Sequence, residues 1–358
     1  MQAIGAFPRM TEPRIVELPE PSQPAAGEVL CRTVSLGVCG TDRDILEAAQ
    51  PMVPQGEPCL VLGHECLGRV ESVGDRVSAI SVGDYVVPVV RRAFDRHSAR
   101  PDMLPFGTFT ERGIVHEHGF SSPRWIDRPE YLFRIPREIV EIAVFTEPLS
   151  VAEKGINEAL AVQRGRLGSD AWSNPRVLVT GLGPIAFASL LACRCRQWPV
   201  TVYGRDDEQT FRAKLAQDWG ASYISDVHFE GNLDDVEGQG FDLILECTGS
   251  DEVLMRVAPA LASCGVMVWL GSSRRPQPRR HNLDVLMRNA VLRNHVHLGT
   301  VNAAPRDFEQ AIEHLSELNR THSEQMRAIF TAHVSLSDVL WHCKNREPQG
   351  IKTVVRYD

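Results

Sequence analysis

The first 140 residues of the chain alternate short apolar runs with glycine and proline. Four runs rich in β-branched residues are bounded by turn residues, and they predict strands within residues 28–39, 67–74, 84–90 and 131–136. The segment SVGDRVSAISVGDYVVP has a rhythm of turns and strands and lacks the period of a helix. We therefore expect a small antiparallel β barrel in this part of the chain.

The pattern changes after Glu141, where apolar residues recur at helical spacing over residues 141–162. Strands then alternate with helices. The predicted strands are 176–181, 200–204, 242–249 and 266–272, and the predicted helices between them are 184–196, 208–220 and 252–263. Such alternation indicates βαβ units and a parallel sheet covered on both faces. A last helix is expected over residues 305–318 and a last strand over residues 352–358.

The length of 358 residues exceeds one ordinary compact core and favours two domains in an α/β protein. We expect a β-rich catalytic domain over residues 1–148 and a dinucleotide-binding domain over residues 149–299. Residues 300–358 are expected to fold back onto the first domain.

Charge, hydropathy and cysteine content indicate which ligands and which cellular location to expect. A net charge of −8 argues against nucleic acid as the main ligand. The one basic cluster, residues 274–281, is short and interrupted by proline, which favours a solvated loop over a site for an anionic ligand. No apolar run approaches the roughly 18 residues of a membrane span, and the N-terminus lacks the apolar core of a signal peptide. Nine scattered cysteines are typical of reduced thiols, so we expect a cytoplasmic protein.

The segment VLVTGLGPIAFASLL carries the pattern G-x-G-x-x-A between a predicted strand and a predicted helix. Gly181 allows the tight turn, Gly183 lets the backbone approach a pyrophosphate, and Ala186 permits close packing of helix and strand. The start of the helix, at Pro184 and Ile185, attracts the anion. This context predicts a dinucleotide site, and the structural alternative is a turn that merely needs glycine.

The end of the next strand distinguishes NADP from NAD. An acid there favours NAD, whereas a small residue followed by arginine accommodates a 2′-phosphate. Gly204 occupies the acid position and Arg205 follows it, which favours NADP. Asp206 and Asp207 come next and would repel the phosphate or bind a ribose, so NAD stays possible. The alternative for these two acids is a solvent-exposed turn.

Cys39, His64 and Glu147 together offer a thiolate, an imidazole and a carboxylate, the ligand types of a catalytic zinc. Each has a plain structural explanation when it is considered alone. A cysteine between glycines is usually buried filler, a lone histidine is usually a satisfied core residue, and an acid at a helix start interacts with the helix dipole. The three residues alone therefore leave the metal site open.

Four segments follow one another as in the zinc-dependent medium-chain alcohol dehydrogenases: GVCGTD, GHECLGRVESVGDRVSAISVGDYVVP, EPLSVAEKG and GLGPIAFASLL. The chain resembles that family over nearly its whole length. Further segments, among them RRAFDRHSARPDM, TERGIVHEHGFSS and HLGTVNAAPRDFEQA, are similar to its archaeal and bacterial glucose 1-dehydrogenase branch. The resemblance implies a GroES-like catalytic domain, a Rossmann domain and one active-site zinc in the cleft between them.

The resemblance also assigns roles to residues. The implied metal ligands are Cys39, His64 and Glu147, with Glu65 as an alternate ligand beside the zinc. Thr41 matches the proton relay, and Asp42 matches an acid that orients the ligand histidine. The substrate-binding residues implied are Thr41, Glu111, Glu147 and Asn302. The cofactor-binding residues expected are Gly181, Gly183, Pro184, Ile185, Gly204, Arg205, Thr248, Gly249, Leu270, Gly271, Thr300 and Asn302.

The chain departs from the family at the lobe that often holds a second, structural zinc through four cysteines. Residues 91–107 contain no cysteine, so we expect one zinc per chain. His97 with Asp95 or Asp102 is a weaker alternative for a second site. Cys66 follows the GHE motif, and we expect it to pack beneath the site.

These features predict a zinc-dependent oxidoreductase that transfers hydride from a sugar, D-glucose at C1, to NADP or NAD. The alternatives are another aldose, a polyol or an alcohol as substrate. A different class is a zinc-free quinone reductase-like enzyme or a non-catalytic nucleotide-binding protein. The resemblance further implies a homodimer or a homotetramer.

Overall fold

The computed structural model describes residues 1–168, 172–229, 231, 233, 240–272 and 279–357. The chain divides into two compact units, Met1–Glu147 with Ala304–Asp358, and Pro148–Ala303. Residues 274–278 of the predicted basic cluster lie outside the described part. Among the described residues, no helix combines the length and the apolar character needed to cross a bilayer.

Nineteen strands are found within the described ranges. They are β1 Gln2–Ala6, β2 Arg14–Glu17, β3 Val29–Val38, β4 Leu60–Val61, β5 Glu65–Val73, β6 Tyr85–Pro88, β7 Arg91–Ala93, β8 Phe109–Arg112, β9 His116–Glu117, β10 Arg124–Asp127, β11 Leu132–Ile135, β12 Val177–Thr180, β13 Val200–Gly204, β14 Ser222–Ser225, β15 Phe241–Glu246, β16 Leu261–Trp269, β17 Val296–Gly299, β18 Phe330–Val334 and β19 Lys352–Arg356.

The α-helices of the same ranges are α1 Gly40–Ala48, α2 Thr146–Leu167, α3 Pro184–Cys195, α4 Phe211–Asp218, α5 Asp251–Val257, α6 Leu283–Leu292, α7 Pro305–Ala328 and α8 Val339–Lys344. Short 3-10 segments cover Pro129–Tyr131, Arg137–Phe145 and Ala258–Ala260.

The first unit is built on a seven-stranded sheet in the order β11-β6-β5-β3-β19-β18, with β10 also paired to β3. β3 pairs antiparallel with β5 and with β19, so the C-terminal strand lies beside the segment that leads to Cys39. Apolar side chains of these strands form the core, and Cys66 is buried in it as predicted. The sheet therefore brings three distant stretches of sequence to one end of β3.

The second unit is a six-stranded parallel sheet in the order β14-β13-β12-β15-β16-β17. Every residue of β12 is buried, because a central parallel strand is covered on both faces. β13 pairs with one edge of β12 and β15 pairs with the other edge, so the strand order reverses at β12. Doubly wound sheets bind ligands at the carboxyl ends of the strands beside such a reversal. The predicted α/β class, a GroES-like β-rich domain with a Rossmann sheet, is confirmed.

Three predictions of secondary structure were wrong in extent. The expected helix over 252–263 ends at Val257, because Pro259 lacks the amide hydrogen needed to continue it, and Leu261 opens β16. The last long helix extends past residue 318, and a second helical stretch reaches Ala328 beyond a kink at His322, whose φ of −143° and ψ of 47° are not helical. The third concerns the segment after Cys39, for which no helix was predicted and where α1 begins at Gly40.

Candidate active site

Cys39, His64 and Glu65 form the cluster of metal-ligand side chains found among the described residues. One ligand atom from each lies within 4.8 Å of the others. The pairing of β3 with β5 places Glu65 opposite Gly37, two residues before Cys39. His64 is only 3% exposed and Glu65 1%, so these two side chains are shielded from bulk water, whereas Cys39 is partly exposed.

The first turn of α1 supports this cluster. Cys39 is the N-cap residue, and its backbone N donates to Asp42 Oδ2 at 2.9 Å. The Cys39 thiol donates to Thr41 Oγ1 at 3.4 Å. Asp42 Oδ1 lies 3.6 Å from His64 Nδ1, and neither atom has another hydrogen-bond partner in the described structure. A carboxylate beside the imidazole is the usual means of orienting a metal-binding histidine.

Lys352 was not anticipated from the sequence, and it makes a buried ion pair with Glu65. Its side chain has no exposure to solvent, and Nζ also donates to Val38 O at 3.2 Å. Gly37 makes room for the pair, since a Cβ there would lie 2.1 Å from Glu65 Oε2. Only its position in an apolar strand, IKTVV, hinted that Lys352 is buried.

The charges around His64 favour a cation. Burial lowers the pKa of His64, but the charge and hydrogen bond of Cys39, followed by the charges of Asp42 and Glu147, raise this pKa well above 6.5. An imidazole surrounded by such groups takes up a positive charge, whether a proton or a metal ion. A thiolate, an imidazole and a carboxylate are zinc ligands, so the donor set fits a zinc ion.

Glu147 is the second residue of α2 and is 9% exposed. The pKa of Glu147 is raised to about 7, chiefly by burial. The charges of Glu65 and Glu111 add to this rise in pKa, and those of His64 and Lys352 oppose it. These mutual effects place Glu147 in the same electrostatic environment as the cluster. Its negative form is favoured by any cation bound there.

Glu111 lies on β8 opposite Arg91 on β7. Its Oε1 accepts hydrogen bonds from Nε and Nη2 of Arg91, both at 2.9 Å. Arg91 Nη1 donates to the Asp102 backbone O at 2.7 Å, and its guanidinium lies 4.0 Å from the centre of the Phe109 ring. The Glu111 carboxylate is therefore held by a fixed, nearly buried arginine. Two consecutive arginines after the apolar run PVV were the signal for this contact in the sequence.

The alternative second metal site is not assembled around His97. The Asp102 carboxylate binds Arg100 through two hydrogen bonds of 3.0 and 2.8 Å. Asp95 Oδ1 accepts from the His97 backbone N instead of approaching its ring. Within the described ranges, this lobe contributes no cluster of three ligand-type side chains.

The glycine-rich turn lies at the carboxyl end of β12. Gly181 has φ of +89°, in the region that favours glycine, and Gly183 is the N-cap residue of α3. Pro184 and Ile185 begin that helix, so its first amides point toward the turn. A Cβ on Gly271 would lie 2.2 Å from the backbone N of Gly249, so these two segments pack backbone to backbone.

Glu246, at the end of β15, organises the neighbouring loop and was not singled out from the sequence. It is 2% exposed and accepts from Thr180 Oγ1 at 3.1 Å and from the backbone N of Thr248 and Gly249 at 2.8 and 3.0 Å. These bonds fix Thr248 and Gly249 beside the glycine-rich turn. An acid that ends the apolar strand DLILE was the available signal.

The remaining cofactor-site candidates lie in the same unit. Gly204 ends β13 and Arg205 is exposed. The backbone N atoms of Leu270 and Gly271 donate to Glu246 O, and that of Thr300 donates to Trp269 O.

Asn302 is 8% exposed with φ of +64°, and its Oδ1 accepts from the Ala303 backbone N. A positive φ in a residue other than glycine is sustained only by its surroundings.

Comparisons with known proteins agree with this geometry. The profile of the alcohol dehydrogenase GroES-like domain matches residues 25–122, and that of the glucose dehydrogenase C-terminus matches residues 140–357. Glucose 1-dehydrogenase of Thermoproteus tenax is 37% identical over 320 residues, 89% of each chain. Glucose 1-dehydrogenase 1 of Caldivirga maquilingensis is 34% identical over 341 residues, 94% of each chain.

Among solved structures, Haloferax mediterranei glucose dehydrogenase in complex with NADP, Zn and gluconolactone has a TM-score of 0.87 at 28% identity. The match covers 100% of this chain and 99% of that one. The ligand cluster and the glycine-rich turn both lie within the matched residues, and the matches together cover nearly the whole sequence. The chain belongs to the glucose dehydrogenase family of zinc-dependent medium-chain dehydrogenases and is an NAD(P)-dependent oxidoreductase.

Proposed function

We propose that the enzyme oxidises D-glucose at C1 to gluconolactone and transfers the hydride to NADP in preference to NAD. The observation that carries the proposal is the close approach of Cys39 to the buried side chains of His64 and Glu65. It occurs in a chain similar to glucose dehydrogenases along its length. Other aldoses and polyols are the competing substrates.

We assign the zinc to Cys39, His64 and Glu147. Glu65 is the alternate ligand. Its buried ion pair with Lys352 neutralises the charge of its carboxylate, which favours Glu147 as the metal ligand in the resting enzyme. A zinc ion held there lowers the pKa of a bound hydroxyl group and so assists loss of hydride from its carbon.

Thr41 takes the proton of the substrate hydroxyl, a role supported by the distance of 3.4 Å between its own hydroxyl and the sulfur of the assigned ligand Cys39. It passes that proton toward solvent. Asp42 Oδ1, 3.6 Å from His64 Nδ1, orients the imidazole ring by electrostatic attraction. The Glu111 carboxylate, fixed by Arg91, and the Asn302 amide bind the other sugar hydroxyls. Buried polar groups of this kind discriminate against analogues that lack a hydroxyl.

The glycine-rich turn and the first amides of α3 bind the pyrophosphate of the cofactor. Gly204 leaves space for the adenosine ribose, and Arg205 contacts the 2′-phosphate of NADP. Thr248, Gly249, Leu270, Gly271 and Thr300 complete the site, with the first two fixed by Glu246. The nine cysteines are free thiols, which supports a reducing, cytoplasmic location.

The substrate assignment predicts that Glu111→Ala and Asn302→Ala each raise the KM for glucose by about 10- to 100-fold. Each removes one hydrogen-bond partner of a sugar hydroxyl in a site shielded from water. The NADP⁺ dissociation constant of Glu111→Ala is expected to change by less than about threefold. Steady-state rates with glucose, galactose, xylose and sorbitol measure the effect.

Glu117→Gln is the matched control, since Glu117 lies on the neighbouring strand and binds Arg112 instead. Its KM should stay within about twofold of the wild-type value. Unchanged KM and kcat for glucose in both alanine variants would overturn the substrate assignment. A lower KM and higher kcat for sorbitol than for glucose in the wild type would assign the enzyme to polyols.

We also propose that the chain forms a dimer through the second unit. β17 is the last strand of the six-stranded sheet in the described structure, so its outer edge offers hydrogen-bonding groups to an identical strand about a two-fold axis. No residue of α6 is buried, although most of it is apolar. Its exposed apolar residues are Leu283, Val285, Met287, Val291 and Leu292. Met287 and Val291, one helical turn apart, form an exposed apolar stripe of the kind found at subunit interfaces.

Met287→Glu with Val291→Glu is therefore expected to convert the dimer to monomers. The two side chains are 64% and 76% exposed, so charges there leave the fold of the monomer intact. Sedimentation equilibrium of both proteins measures the mass. A doubly substituted protein with the wild-type mass and association constant would contradict this interface. Val82→Glu, at a 63% exposed valine of the first unit, is the control.

A further inference from the structure

Two acids follow the residue assigned to the 2′-phosphate. Asp206 and Asp207 come directly after Arg205. A carboxylate near a phosphate repels it and also accepts hydrogen bonds from ribose hydroxyls, so free acids here would favour NAD over NADP. The structure shows how each carboxylate is occupied.

Asp206 is bound by Arg212 from α4. Nε and Nη2 of Arg212 donate to Oδ2 and Oδ1 of Asp206, both at 2.8 Å. Each side chain is 9% exposed, so water screens the pair only weakly. The backbone beside it is fixed as well, because Tyr223 Oη donates to Asp206 O at 2.8 Å. Such a two-point contact between guanidinium and carboxylate is strong and geometrically defined.

Asp207 is engaged at the start of α4. Its Oδ1 accepts from the Gln209 backbone N at 2.8 Å, and Oδ2 lies 2.9 Å from His228 Nε2. Its backbone O accepts from Thr210. Asp207 and His228 are 50% and 60% exposed, so solvent screens this charge. Of the two acids, Asp206 is the one whose charge depends on a protein partner for neutralisation.

Arg205 differs from Arg212 in its surroundings. It is exposed, and no carboxylate of the described residues forms an ion pair with it. Its positive charge is therefore available to a ligand, provided that the adjacent Asp206 is neutralised.

We propose that Arg212 determines cofactor specificity by neutralising Asp206, so that Arg205 can bind the 2′-phosphate of NADP. The inference rests on the proposed use of NADP and deepens it. Without Arg212, the Asp206 carboxylate lies uncompensated beside the phosphate and becomes an acceptor for the ribose hydroxyls of NAD. Arg212 acts through Asp206 and is a positioning residue.

The test measures binding and does not depend on turnover. Dissociation constants of NADP⁺, NAD⁺, 2′,5′-ADP and 5′-AMP are determined by calorimetry for wild type, Arg212→Gln, Arg212→Lys and the double variant Asp206→Asn with Arg212→Gln. We expect Arg212→Gln to weaken 2′,5′-ADP and NADP⁺ by about tenfold or more, because it restores one unpaired negative charge next to the phosphate. NAD⁺ and 5′-AMP should bind within about threefold of wild type or more tightly.

The double variant removes the carboxylate together with its partner, and it should bind 2′,5′-ADP within about threefold of wild type. Arg212→Lys keeps the charge and should retain most of the preference. Equal weakening of all four ligands in Arg212→Gln, or no recovery in the double variant, would overturn the proposal. Melting temperatures of all variants separate a loss of folding from a loss of specificity, and the double variant and Arg212→Lys keep the test open if Arg212→Gln unfolds.

The outcomes for the two proposals are distinct. A wild-type enzyme that binds 2′,5′-ADP no more tightly than 5′-AMP would contradict both the NADP assignment and the role of Arg212. An enzyme that discriminates the two ligands as expected and does not oxidise glucose would contradict the proposed substrate alone.

Discussion

Replacing Cys39 with serine is expected to remove most of the bound zinc and to lower kcat/KM for glucose by at least about a thousandfold. A thousandfold corresponds to about 4 kcal/mol of transition-state stabilisation, which is within what a metal acting as a Lewis acid supplies. Serine keeps the size and the N-cap position of Cys39, so α1 should still form. Zinc content by mass spectrometry and steady-state kinetics are measured on the same preparation.

Cys264→Ser is the control, since this free cysteine belongs to the second unit. It should keep about one zinc per chain and near wild-type kinetics. A Cys39→Ser protein with full zinc content and unchanged kcat/KM would remove Cys39 from the metal site. A Cys39→Ser protein that keeps its zinc but has a lowered kcat would show that Cys39 affects the reactivity of the metal and is not needed to hold it.

Replacing Lys352 with methionine is expected to lower the free energy of unfolding of the first unit by about 3–5 kcal/mol. Lys352 and Glu65 are 0% and 1% exposed, and removal of one partner leaves the other as an uncompensated buried charge. Methionine keeps the length and the apolar stem of lysine. The measurement is the shift of the unfolding transition in urea and by calorimetry.

Two controls separate charge from packing. Lys344→Met breaks an ion pair with Glu12, which is 62% exposed, and should change stability by less than about 1 kcal/mol. Glu65→Gln combined with Lys352→Met removes both charges and should recover part of the loss. Equal stability of the Lys352→Met and Lys344→Met proteins would show that the buried pair is not a major contributor.

Local patterns in the sequence predicted the second unit well. The glycine-rich turn needs only neighbouring residues, and Gly181 with its positive φ lies where the motif puts it. The strands before and after it were predicted within a few residues. The helix predicted over residues 252–263 was the exception. Its apolar pattern continues past Pro259 into β16, so the end of the helix was predicted too far along the chain.

Two ion pairs near the site could not be predicted from the sequence, because the partner of each charged residue is set by the fold. Lys352 meets Glu65 only through the pairing of β3 with both β5 and β19. Arg212 binds Asp206 across the turn between β13 and α4, and the ring of His228 lies 2.9 Å from Asp207, so the two acids that suggested NAD use both have protein partners. The charged residues themselves are visible in the sequence, but the fold decides which of them form ion pairs.

The Cys39 segment shows a different limit. No helix was predicted over residues 40–48, and Gly40 and Thr41 are weak helix formers. The structure instead begins α1 at Gly40, with the Asp42 carboxylate closing the N-terminus by its bond to the Cys39 backbone. The helix start is stabilised by this local contact more than by helix propensity.

The most direct test of the account is the zinc content and glucose-oxidising activity of wild-type protein purified without chelator. We predict about one zinc per chain, with loss of activity when the metal is removed and recovery when zinc is returned. Protein that contains no zinc and oxidises glucose with NADP⁺ at an undiminished rate would contradict the account.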